Sequence, residues 1–126
     1  MKAINVVIID DDPLLRKLTS RFLHDHKDVH IVGIAETGNA GLEMVRDHKP
    51  NVVILDIQLP DGNPQSIIEQ VKRLSPETKV YLCSAYSDEK VEATVKQVHA
   101  DGFVSKTDLK NGLALMVHAE QAGSSA

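Results

Sequence analysis

A chain of 126 residues with 18 acidic side chains against 14 lysines and arginines carries a formal net charge of −4, which disfavours a nucleic-acid backbone as its ligand. Two Phe, two Tyr and no Trp leave few rings to stack on bases, so the core must be filled by Val, Ile, Leu, Ala and Met. The length suits one compact domain that buries roughly two-thirds of the surface its unfolded chain exposes. No apolar run approaches the roughly 18 residues of a membrane span, and the N-terminus has no signal-peptide layout. A cytoplasmic location without membrane contact is therefore expected. Cys83 is the single cysteine and lies in an apolar run, so it reads as a small buried hydrophobe in a reducing compartment.

Strand and helix patterns alternate along the chain. Ile4 to Ile9 is an aliphatic run that ends in Asp10-Asp11-Asp12. Pro13 suits a first helical turn, and Leu14, Leu15, Leu18 and Phe22 follow at helical spacing. His30 to Ala35 reads as a second strand. Gly38-Asn39-Ala40-Gly41 reads as a turn, because it lacks the Lys-Ser/Thr of a phosphate loop, and Ala40 to Asp47 as a short helix with Leu42, Met44 and Val45 apolar. Pro50 closes that helix. Val52-Val53-Ile54-Leu55 is a third strand ending in Asp56, and Gln58-Leu59-Pro60-Asp61-Gly62-Asn63 is dense in turn formers. Pro64 opens a third helix with an inward stripe of Ile67, Ile68, Val71 and Leu74.

Lys79 to Ser84 is the fourth strand. Ser87, Asp88 as a cap, Lys90 and Val91 begin the next helix, on which Val91, Val95 and Val98 form an apolar line. Gly102 to Ser105 is a short fifth strand, and Asp108 reads as the cap of a last helix carrying Leu109, Leu113, Met116 and Val117. Residues 1–120 are expected to form the domain and residues 121–126 a flexible tail or the start of a linker. Five strands alternating with five helices predict an α/β fold, a doubly wound parallel sheet in the flavodoxin-like order 2-1-3-4-5. Its first and third strands are neighbours, so Asp10 and Asp11 face Asp56 across the carboxyl ends of the strands.

Carboxylates brought that close repel, and a divalent cation relieves the repulsion. Oxygen-only ligands favour Mg²⁺ or Mn²⁺ over zinc, and Mg²⁺ keeps open positions for phosphoryl oxygens. Ser84 and Lys106 follow the fourth and fifth strands onto the same rim, where a hydroxyl and an ammonium suit a phosphorylated aspartate. His24, His26 and His30 have no metal-ligand spacing and read as surface residues.

The acidic pair Asp10-Asp11, Leu55-Asp56-Ile57-Gln58-Leu59-Pro60, Cys83-Ser84-Ala85 and Gly102-Phe103-Val104-Ser105-Lys106 together resemble the receiver domains of two-component response regulators, over about Ile4 to His118. The resemblance implies Asp56 as phosphoacceptor and a Mg²⁺ held by Asp10, Asp11, Asp56 and the backbone carbonyl of Gln58. It further implies Ser84 as the switch hydroxyl, Lys106 as the phosphate-pairing cation and Phe103 as the ring that reports the state. The partners it implies are a sensor histidine kinase or phosphotransfer protein upstream and an output domain or effector protein downstream. Signalling then runs through the fourth helix, fifth strand and fifth helix, and a homodimer on phosphorylation is open. Nothing after His118 reads as an output domain, so either a stand-alone receiver or the receiver portion of a longer regulator is expected, with a slight preference for one leading into a helix-turn-helix output.

Four positions depart from the family's commonest pattern. Asp12 is a third consecutive acid, expected to cap the first helix rather than reach the metal. Pro64 replaces a glycine, Phe103 stands in place of Tyr, and Thr107 replaces a proline, which leaves open the cis bond of many relatives. Three other readings compete with a phosphorylated switch. A receiver that signals without phosphorylation fits the same residues. An aspartyl-phosphate phosphatase would usually carry an acid where Gln58 stands, and a flavin-binding module would place a phosphate against the acidic first loop.

Overall fold

The computed structural model describes residues 3–85 and 88–123, with residues 88–91 described by backbone alone. Ser87, the side chains of Asp88, Lys90 and Val91, and residues 124–126 thus lie outside what is described. Five strands, β1 (Ile4–Ile9), β2 (Val29–Ala35), β3 (Val52–Asp56), β4 (Lys79–Ser84) and β5 (Gly102–Ser105), alternate with α1 (Pro13–His24), α2 (Gly38–His48), α3 (Pro64–Leu74), α4 (Asp88–Val98) and α5 (Leu109–Gly123). The sheet order is β2-β1-β3-β4-β5 with every pairing parallel, as the alternating pattern predicts.

The aliphatic strands are buried on both faces, and their two-residue period divides the core into two layers. Ile4, Val6 and Ile8 of β1 with Val52 and Ile54 of β3 pack against Leu23 of α1 and Leu109, Leu113, Met116 and Val117 of α5. Val7, Ile9, Val53 and Leu55 face the other way, onto Val45 of α2, Ile67, Ile68 and Val71 of α3 and Val98 of α4. Val95 packs against that second layer, so the described part of the apolar line on α4 is a packing face.

Two helix starts differ from expectation. The stretch Gly38 to Gly41, read as a turn, is the first turn of α2, which runs from Gly38 to His48 rather than from Ala40 to Asp47. Thr37 makes the difference: its Oγ1 accepts from the Ala40 N–H at 3.1 Å and caps the helix two residues earlier. Gly41 also lies where a Cβ would run into the side chain of Ile9, so its glycine lets α2 sit close on β1 rather than breaking the helix. Asp108 is not the cap of α5. A 3-10 turn over Lys106–Asp108 precedes the helix and is capped by Ser105, whose Oγ accepts from the Thr107 N–H at 3.2 Å. The Asp108 carboxylate accepts from Asn111 Nδ2 instead, at 3.3 Å.

Asp12 caps α1 as expected, its Oδ1 accepting from Leu14 N at 2.9 Å and Leu15 N at 3.4 Å. Asn63 caps α3, with Pro64 in its first turn. No cis peptide occurs among the described residues, so Lys106 to Thr107 is trans. The last helix reaches Gly123, which makes residues 121–123 helical where a tail was expected to begin. Cys83 is a free, buried thiol.

Candidate functional site

The alternation that builds the two core layers also aims the site. Continuing Ile4, Val6 and Ile8 by one step gives Asp10, and continuing Val52 and Ile54 gives Asp56, so both acids leave their strands on the α1/α5 side. β1 and β3 are direct neighbours, with Ile8 opposite Ile54 and Ile9 opposite Leu55. Asp10 and Asp56 are each only 4% exposed, whereas Asp11 lies in solvent. Among the described residues these three form one group with carboxylate oxygens within 4.8 Å of one another, close enough that they could hold a hard divalent cation.

Lys106, the first residue after β5, reaches back over the group. Its Nζ lies 3.2 Å from Asp56 Oδ1 and 3.5 Å from Asp10 Oδ2. Burial by itself would lower the pKa of this ammonium, but the Asp10 and Asp56 carboxylates outweigh it and hold the group above its ordinary value. Burial pushes the Asp10 carboxyl up, and the neighbouring Asp56 pushes the same way, against the Asp12 N–H and Lys106 that favour the ion. Burial pushes the nearby Cys83 thiol up to about 12, which keeps it protonated beside the acids.

The loop leaving β3 folds back on its own acid: the Gln58 N–H donates to Asp56 Oδ1 at 3.0 Å, and the Ile57 N–H to the Cys83 carbonyl at 3.2 Å. Ser84 ends β4 opposite Ser105 and is 3% exposed. Phe103, opposite Leu82 in the middle of β5, is half-buried and packs on the α2/α3/α4 layer, not among the acids. Asp10, Asp11, Asp56 and Lys106 are therefore brought together, Gln58 and Ser84 border them, and Phe103 stands one layer away. Asp12 is turned to its helix.

Three contributors escape a reading by motif. Arg16 donates through Nη1 to the Asp10 carbonyl at 2.8 Å and through Nη2 to Glu36 at 3.2 Å, which fixes the end of β1. Thr37 is legible afterwards as an N-cap type preceding a helix. Asp61, read only as a turn former, accepts from the Gly38 N–H at 2.8 Å and the Asn39 N–H at 3.2 Å, a contact across 23 residues that no local pattern announces.

The profile of the response regulator receiver domain matches residues 6–118. The chain belongs to that family. Among curated relatives, the receiver is 33% identical over 108 residues to a protein-glutamate methylesterase/protein-glutamine glutaminase of Geobacillus kaustophilus, covering 84% of this chain and 31% of the relative. It is 31% identical to the probable transcriptional regulatory protein NarL of Mycobacterium tuberculosis, covering 90% of this chain and 53% of that protein. The receiver thus spans from about a third to about half the length of these relatives. Among solved structures, the signal receiver domain of the putative response regulator NarL from M. tuberculosis superposes with a TM-score of 0.81 at 28% identity, over 96% of this chain and 98% of that one. No helix among the described residues is long and apolar enough to cross a membrane.

Proposed function

We propose that this receiver takes a phosphoryl group from the phosphohistidine of a sensor histidine kinase or phosphotransfer protein onto Asp56. The observation that carries the reading is the position of Asp56: a strand-end carboxylate with Lys106 Nζ 3.2 Å from one oxygen and the acids Asp10 and Asp11 beside it. A carboxylate oxygen of Asp56 attacks phosphorus, the P–O bond forms as the P–N bond to imidazole breaks, and the departing imidazole nitrogen takes its proton from solvent. Lys106 pairs with the phosphoryl oxygens and Ser84 offers its hydroxyl to one of them.

An all-oxygen donor set of three clustered carboxylates fits Mg²⁺, with Mn²⁺ as a substitute. Asp10, Asp11, Asp56 and the Gln58 carbonyl would hold it, and its chemistry is to neutralise charge on the transferring group. Gln58, two residues beyond Asp56, offers no general acid or base for turnover of other substrates, so the reaction stays on the receiver itself. Engagement of Ser84 then draws β4 toward the acceptor, Phe103 follows, and the surface of α4, β5 and α5 changes toward an output domain or effector protein in the cytoplasm.

Intact-mass measurement after incubation with Mg²⁺ and acetyl phosphate tests this: the wild type gains one phosphoryl group and Asp56→Asn gains none. No gain in the wild type, or a gain that survives Asp56→Asn, overturns the reading.

A further inference from the structure

The first turn of α2 has three N–H groups with no partner inside the helix, and each finds one outside the helix. Ala40 N donates to Thr37 Oγ1 at 3.1 Å, whereas Gly38 N and Asn39 N donate to the two oxygens of Asp61, at 2.8 and 3.2 Å. There is no acidic residue in the first turn of α2 itself, so Asp61 brings the negative charge that a helix start favours from a different loop. Those N–H bonds hold its carboxyl below the usual range, the mark of a carboxylate bound as the ion. Gly38 leaves room for the approach: a Cβ there would stand 3.4 Å from Asp61 Oδ1, at ordinary contact, and 2.9 Å from the Cδ1 tip of Ile67, which would have to turn aside.

The segment between Asp56 and Asp61 is consequently held along its length. Asp56 Oδ1 takes the Gln58 N–H, Ile57 N is tied to Cys83, Leu59 is sunk in the α2/α3/α4 layer at 8% exposure, and Asp61 is clamped to α2. Gln58 lies between these anchors. We propose that Asp61 is a positioning residue for the cation: by clamping the acceptor loop to the start of α2 it fixes the Gln58 carbonyl at the acidic group. The inference rests on the Mg²⁺ assignment made above.

Isothermal titration of the purified chain with Mg²⁺ tests it without any phosphoryl donor, alongside thermal unfolding of each variant. Asp61→Ala is expected to weaken Mg²⁺ binding about tenfold, the lower end of what loss of an outer-shell partner costs. Asp61→Asn, which keeps one accepting oxygen, should lose less. Thr37→Ala removes a cap from the same helix without touching the acceptor loop, so it should lower the melting temperature and leave Mg²⁺ affinity at the wild-type value. Wild-type affinity in Asp61→Ala, or equal losses in Thr37→Ala and Asp61→Ala, overturns the clamp and leaves the metal assignment standing. A wild type that binds no Mg²⁺ overturns the metal assignment and the clamp with it.

Discussion

Asp10 illustrates what the site costs the fold at the level of one residue. Its carboxylate is 4% exposed, and Lys106 at 3.5 Å does not fully compensate for burial beside Asp56. Because the folded pKa lies above the unfolded one, the folded chain keeps a proton that the unfolded chain has already lost between the ordinary carboxylate range and the folded pKa, and stability falls as pH rises across that window. Above the folded pKa the penalty is complete. Asp10→Asn keeps the shape and removes the charge, so at neutral pH without metal it should raise unfolding free energy by roughly 0.5–2 kcal/mol. The gain should shrink as pH falls through the raised folded pKa and be gone once pH reaches the ordinary Asp range; urea titrations at several pH values check both statements. Arg16, which holds the Asp10 carbonyl from one turn into α1, was illegible beforehand because an arginine on an amphipathic helix looks like any solvated charge.

At the scale of elements, the aliphatic runs were readable because burial on both faces of a parallel strand leaves no room for polar residues. Val6 to Ile9 and Val52 to Leu55 are buried throughout. Strand ends carrying Asp10 and Asp56 followed from the same runs. Helix starts were harder. Gly38 and Gly41 suppress helix propensity, and the partners that restore it are Thr37 and the distant Asp61, one local and one visible only in three dimensions. Asp108 misled in the opposite sense: a good capping residue lies before α5, but the 3-10 turn moves the capping role to Ser105. The packing role of Gly41 has a direct consequence. Gly41→Ala should gain helix propensity yet lose roughly 1–3 kcal/mol overall, because the added methyl is driven into Ile9 in the core; a net stabilisation in chemical denaturation would refute the close contact of α2 on β1.

Across the whole molecule, two core layers on opposite faces of one sheet hold the acids, Lys106 and the acceptor loop at one edge, on ends of strands that the core itself makes rigid. The parallel order brought Asp10, Asp11 and Asp56 together as the alternating pattern implied, while the roles of Ser84, Phe103 and Lys106 came from likeness to a family and not from spacing. A ligand that binds only the folded chain stabilises it by mass action, about 2.7 kcal/mol at a hundredfold excess over Kd. Mg²⁺ should therefore raise the melting temperature of the wild type, and Asp10→Asn should blunt that rise. The central claim is that Asp56 accepts the phosphoryl group with the acids and Lys106 around it. Peptide mapping by mass spectrometry after treatment with acetyl phosphate, with Mg²⁺ or with chelator, tests it most directly. One phosphoryl group on the peptide containing Asp56 in Mg²⁺, and none with chelator, is the expected result; a phosphoryl group on any other residue, or equal labelling without metal, would contradict the claim.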